Sequence, residues 1–219
     1  MSAHIPHGSG GFMAPFIACP QLGMPLGNVY PSSTPSMPPQ HNAIEICEAL
    51  SPPAPNTDTI SWDIRKHPSS ATTTTRGRSG AVNMASHATV DVTDHISISC
   101  SADVARKMWP DGIQVEGSPV NIGCVLKAIH RYFQQEITEK EYEKIREMDS
   151  HKYPHLLNDA RNERSKLLVQ NKENILRVPL RRVDCLGKKC NFGGLKAEYL
   201  PDGSYCIVLH LTSKAPSFY

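Results

Sequence analysis

The chain has 219 residues, with 23 Lys or Arg against 21 Asp or Glu, a formal charge of +2 and 39% hydrophobic residues. No apolar run approaches the ~20 residues a membrane helix needs, and the start carries no basic n-region, so neither a membrane anchor nor a signal peptide is expected. Seven cysteines, an odd number with no repeated spacing, argue against a disulfide framework and for reduced thiols in the cytosol or nucleus.

Charge and proline divide the chain. No lysine or arginine occurs before Arg65, and eleven of the eighteen prolines lie at or before Pro55. Residues 1–60 carry only Glu45, Glu48 and Asp58, so the other 159 residues hold +5. Low charge with dense proline, glycine and serine gives too little apolar area to offset chain entropy. A disordered leader is therefore expected over 1–56, a single domain over 57–212 and a short tail over 213–219. Within the leader, Ile44, Ile46, Cys47 and Leu50 form one short apolar island, read as a transient segment.

Ile60, Trp62 and Ile64 alternate with Ser61, Asp63 and Arg65, the period of a half-buried strand. Pro68 to Gly80, with its threonine run, reads as a flexible loop. Val90, Val92, Ile96, Ile98 and Cys100 share one parity, as in one long strand with a bulge or two short ones. A Trp109-Pro-Asp-Gly112 turn leads to a strand over Ile113–Val115.

Three helices follow. Asn121 is a predicted N-cap for Ile122, Val125, Leu126, Ile129 and Phe133. Thr138 and Glu141 form a capping box ahead of Tyr142, Ile145 and Met148. The third spans Pro154 to about Asn171, its apolar stripe interrupted by Arg164. Leu180–Leu186 then reads as a strand, Gly193-Gly194 as a tight backbone site, and Leu200-Pro-Asp-Gly203 as the turn before a last strand, Ser204–Leu211. The order predicts an α+β domain, a mainly antiparallel sheet with about three helices on one face.

Catalytic and metal signatures are weak. Cys185, Cys190, Cys206 and His210 suggest zinc, but on a strand Cys206 and His210 stand about 13 Å apart. Ligands of one tetrahedral ion must lie within ~4 Å of each other. Gly77-Arg-Ser79-Gly-Ala81 lacks the closing glycine of a nucleophile elbow. His151 and His155 share a helical face with Pro154 between them and read as exposed polar residues. No cofactor or metal is expected.

The strongest functional signal is basic. Residues 151–190 hold ten Lys or Arg against four acids, +6 in a chain of +2. Arg161, Arg164, Arg181, Arg182, Lys188 and Lys189 are the candidate partner-binding face, attracting an acidic protein or peptide or nucleic acid by its field. No interleaved aromatic set marks it as a nucleic-acid surface. Asp63, Arg65, Arg182 and Asp184 are candidate structural ion-pair residues, one aspartate expected to hold an arginine bidentately across strands.

The spaced anchors resemble a family common in mushroom-forming, basidiomycete fungi and known only as domain of unknown function 6699. They are Ser61-Trp-Asp-Ile-Arg65 with Pro68, Trp109 with Ile113 to Val115, Val120-Asn-Ile122, Val125-Leu126 and Ile129-His130. They continue with Thr138-x-x-Glu141-Tyr142, Arg182-Val-Asp184-x-Leu186 and Phe192-x-Gly-Leu195. Together they cover about 57–212. The longer Ser/Thr loop at 69–80, and Asn121 where threonine is usual, depart from the pattern. The resemblance implies an α+β domain and supplies no activity, substrate or ligand.

The expected function is a non-enzymatic interaction domain with a basic face. An enzyme with a site assembled from Asp63, His130, Asp184 and one cysteine is the alternative, and nucleic-acid binding through 151–190 a second. A deep pocket lined by those groups would favour the enzyme, a shallow basic face or an apolar groove the binder.

Overall fold

Ile60, Trp62 and Ile64 are all buried, as their alternation with polar residues requires, and they start the first of two sheets. The computed structural model describes residues 44–75, 78–170, 179–201 and 204–214, without the side chains of Arg164 and 167–170. The leader expectation for 1–43 and the tail beyond 214 lie outside the described residues.

The first sheet is antiparallel: β1 (Thr59–Ser61), β2 (Thr72–Thr75) and β3 (Arg78–Ala81), in that order. The Pro68–Gly80 stretch is therefore no simple loop. Threonine is β-branched and suits a pleated half-exposed strand, so the run pairs Thr74 with Thr59 and Thr73 with Gly80.

The second sheet has the order β5-β4-β7-β6, formed by β4 (His95–Cys100), β5 (Ile113–Glu116), β6 (Asn191–Tyr199) and β7 (Tyr205–Thr212). Only β4–β7 is parallel. Residues just after β1 join the sheets. Phe192 N donates to Trp62 O at 2.8 Å and Ile64 N to Cys190 O at 2.9 Å, with Asp63 bridged to Asn191. The expected parity over 90–100 survives only in β4, where Ile96, Ile98 and Cys100 are buried; Val90 and Val92 are 62% and 69% exposed. Gly112, at φ +68°, closes the predicted turn before β5.

Four helices are present among the described residues: α1 (Asp103–Met108), α2 (Ile122–Gln134), α3 (Glu139–Met148) and α4 (Lys152–Gln170). The fold is α+β. Asn121 Oδ1 accepts from Cys124 N at 2.9 Å and begins α2. Thr138 Oγ1 accepts from Glu141 N while Glu141 returns to Thr138 N at 2.7 Å, the capping box of α3. α1 was not expected; its six residues bury only Val104 and Ala105, too few for a legible helical stripe. Leu180–Leu186 is not a strand. Arg182–Leu186 forms a 3-10 turn, because Asp184 Oδ2 accepts from Arg181 N at 2.7 Å and curls the chain.

Residues 44–56, expected to belong to the leader, are structured. Ile46 bridges Thr89, Glu48–Leu50 is a 3-10 turn, and Leu50 is fully buried at 0% exposure. The local sequence is too short to fold alone, but tertiary contact supplies what propensity lacks. Leu50→Ala is expected to cost about 2–5 kcal/mol. Limited proteolysis should leave a resistant core that includes Ile44–Leu50. A stable core starting at 57 with an unchanged unfolding midpoint would show that this segment contributes nothing.

Candidate functional site

Around Trp109 the chain builds a partly buried polar network. The Trp109 indole N–H donates to Glu141 Oε1 at 2.5 Å, and Glu141 Oε2 takes Thr138 N and Thr138 Oγ1 at 2.7 and 2.8 Å. The Arg182 guanidinium stands 4.7 Å from the ring centroids of both Trp109 and Tyr132, and 4.0 Å from Glu141 Oε1. Arg182 Nε is buried without a hydrogen-bond partner. Burial is the largest influence on Glu141 and pushes its carboxyl up. The Thr138 and Trp109 hydrogen bonds and the Arg182 charge outweigh it, so the carboxyl sits below its ordinary value. Burial pushes the Tyr132 phenol up to about 12. The network ties α2 and α3 to the end of α1 and to the 3-10 turn. Its chemistry is structural, an aromatic cage around one cation.

This cage removes Arg182 from the candidate basic face, since its side chain is only 17% exposed. Arg181 is half-buried, with Nη1 donating to Gln134 Oε1. Arg161, Lys188 and Lys189 are exposed. The Arg164 side chain lies outside the described residues. The structure adds one cation that segment counting missed. The Ile64–Cys190 hydrogen bond and the Asp63–Asn191 bridge join the chain just before Arg65-Lys66 to the chain just after Lys188-Lys189. Nothing in the local pattern could have shown this, because 120 residues separate the two segments.

The ion-pair candidates divide. Asp63 does hold Arg65 bidentately, at 2.9 and 2.7 Å, but two residues away rather than across strands. Burial is again the largest influence on Asp63, and the Arg65 hydrogen bonds and charge overcome it, holding the carboxyl below its usual range. Arg182 faces Glu141, and Asp184 caps its own turn.

The groups of the alternative catalytic site lie near segment 62–67, but each has a structural contact. His130 Nδ1 is 3.2 Å from Ile64 O, and its ring packs edge-on to His67. Cys190 Sγ donates to Gly187 O at 2.9 Å. Burial, foremost, pushes the thiols of Cys185, Cys190 and Cys100 up to about 12, 11 and 11, so they are protonated at neutral pH and poor nucleophiles. Cys206 and His210 both lie on β7, and His210 Nε2 stands 3.5 Å from Glu198. Among the described residues, no three His, Cys, Asp or Glu side chains converge as a metal-ligating cluster. No helix among them is long and apolar enough to cross a membrane.

An open groove of about 520 Å³ lies elsewhere, at the starts of the parallel strands β4 and β7. Ile44, His95, Ser97, Ser99, Tyr205 and Cys206 are among its lining residues. It contains none of Asp63, His130 or Asp184.

Fold and surface thus define an α+β domain with a caged arginine, several exposed lysines and an open groove. The chain belongs to the family of unknown function (DUF6699), whose model matches residues 60–203. No curated protein and no solved structure matches it.

Proposed function

We propose that the domain is a non-enzymatic interaction module that binds an acidic protein or peptide segment along its basic edge. One observation carries this reading: two distant segments that each carry exposed lysines meet at the Ile64–Cys190 hydrogen bond. Lys66 lies two residues beyond Ile64, Lys188 and Lys189 stand just before Cys190, and all three are exposed. Such a convergence raises the local concentration of an acidic partner and its rate of encounter. The engaged contacts of Asp63, His130 and Asp184, and a groove that excludes them, favour binding over catalysis. The six described cysteines are free, which suits a reducing compartment, cytosol or nucleus.

The test is charge reversal. A Lys66→Glu, Arg161→Glu, Lys188→Glu, Lys189→Glu variant changes exposed positions and should fold, since exposed pairs contribute only ~0–1 kcal/mol each. Association with polyglutamate is expected to slow about tenfold at low salt, with the difference shrinking at high salt. An unchanged rate in low salt sinks the proposal. Tighter binding of a single-stranded oligonucleotide than of polyglutamate, lost in the same variant, would replace it with nucleic-acid binding.

A further inference from the structure

We propose that the groove at the starts of β4 and β7 is a second docking site, for an extended peptide that carries apolar side chains flanked by lysine or arginine. The inference is independent of the basic edge and rests on three observations at a different place in the fold.

The first is the shape and lining. Ser97, Ser99 and Ser204 supply hydroxyls, and Ile44 and Tyr205 supply apolar walls, in an open groove of about 520 Å³. An open trough with mixed lining suits a chain segment that leaves its backbone polar groups satisfied while seating alternate side chains.

The second is the rim. Among the described residues the exposed large hydrophobic side chains are Val90, Val92, Tyr199 and Leu200. Three of them adjoin its lining residues along the backbone, and Val92 lies three residues before His95. Val90 N donates to the carbonyl of Glu45, the residue after Ile44. Val92 precedes Thr93, whose hydroxyl donates to His95 O at 3.0 Å. Tyr199 pairs in register with Tyr205, and Leu200 N donates to Ser204 O at 2.8 Å. Exposed apolar residues scattered singly need no explanation, but their convergence on one groove marks a contact surface.

The third is charge. Glu45 and Asp91 flank Ile44 and Val90, Asp94 adjoins His95, Glu116 pairs in register with His95, and Glu198 with Cys206. Strands β4, β5 and β7 contain no lysine or arginine, and β6 contains only Lys196. A cationic flank is complementary to this rim, and an acidic one is repelled. The groove thus selects a charge opposite to that chosen by the basic edge.

The test uses the full chain and a displayed library of random linear peptides. Wild-type protein should enrich peptides with an apolar centre and Lys or Arg on one or both sides. A synthesised consensus peptide should then bind about tenfold more weakly to Ser97→Arg, which fills the groove from an exposed position and adds like charge. Val90→Ser with Val92→Ser should weaken it as well, while Lys188→Glu with Lys189→Glu leaves it unchanged. Circular dichroism of each variant confirms the fold. Three results overturn the proposal: no enrichment, enrichment of acidic peptides, or a consensus peptide that ignores both Ser97→Arg and the Val90/Val92 changes. A peptide lost only in the Lys188/Lys189 variant belongs to the basic edge and likewise counts against the groove.

Discussion

Glu141→Ala is expected to be among the most destabilising single changes in this domain. It removes the acceptor of the Trp109 indole and of Thr138 N, and the only carboxylate within 4.0 Å of the Arg182 guanidinium among the described ion pairs. A cation held between two rings is then left without its counter-charge. Leaving partly buried donors and a charge without their acceptor costs about 1–3 kcal/mol, which at this chain length lowers the unfolding midpoint by roughly 5 °C. Arg182→Met fills the cage with an apolar side chain and should cost less. Combined with Glu141→Gln, it should be less destabilised than the two single changes summed, because the pair is removed together.

The sign of the pH dependence follows from Glu141. Its folded carboxyl sits below the ordinary value of 4.5, so its stabilisation is complete above that pH and is lost as pH falls through the folded value. Urea unfolding at pH 7 and pH 4 should show a smaller acid loss for Glu141→Gln than for wild type. Asp63, also lowered, supplies a residual slope in both proteins. If Glu141→Ala melts within about 2 °C of wild type, the network is peripheral to stability.

Gly194→Ala should be comparably damaging, for a steric reason. Gly194 has φ +100°, and a Cβ there would stand 2.5 Å from Pro52 N and 2.7 Å from Ser51 C. Both are backbone atoms, so no rotamer relieves the contact, and the positive φ adds its own strain. The bulge in β6 between Phe192 and Leu195 is where residues 51–52 cross the strand. The variant can fold only by lifting that segment, which unseats Leu50. A loss of about 3 kcal/mol or more is expected, together with new proteolytic cleavage near residues 50–56. Wild-type stability with 44–56 still protected would mean that the close approach is dispensable.

The elements that read most clearly from the chain are those whose determinants are local. Asn121 and the Thr138–Glu141 box mark helix starts because a side chain three residues away satisfies an end N–H. The alternation at Ile96, Ile98, Ile113 and Val115 marks strands because the side-chain period is two. Three misreadings share the opposite cause. The threonine run looked like low complexity until β1 and β3 paired with it. The Ile44–Leu50 island looked too short until β1 and the residues around Thr89 packed against it. Leu180–Leu186 has strand-like composition, but the Asp184 carboxylate closes it into a turn.

Composition and spacing alone were enough for the α+β class, the caps and the excess of positive charge in 151–190. They could not say which of those charges face solvent. Arg182 and Lys188 are both basic residues of one segment, yet one is caged by Trp109 and Tyr132 and the other is exposed. Capping and periodicity act within a few residues and are written in order along the chain. A cage, the meeting of two lysine-bearing segments and a groove are made by segments roughly 20 to 160 residues apart, and only folding brings them together. That is why the segment of Lys66 meets that of Lys188 and Lys189, and why Ile44 meets His95 and Tyr205, at surfaces no linear pattern announces.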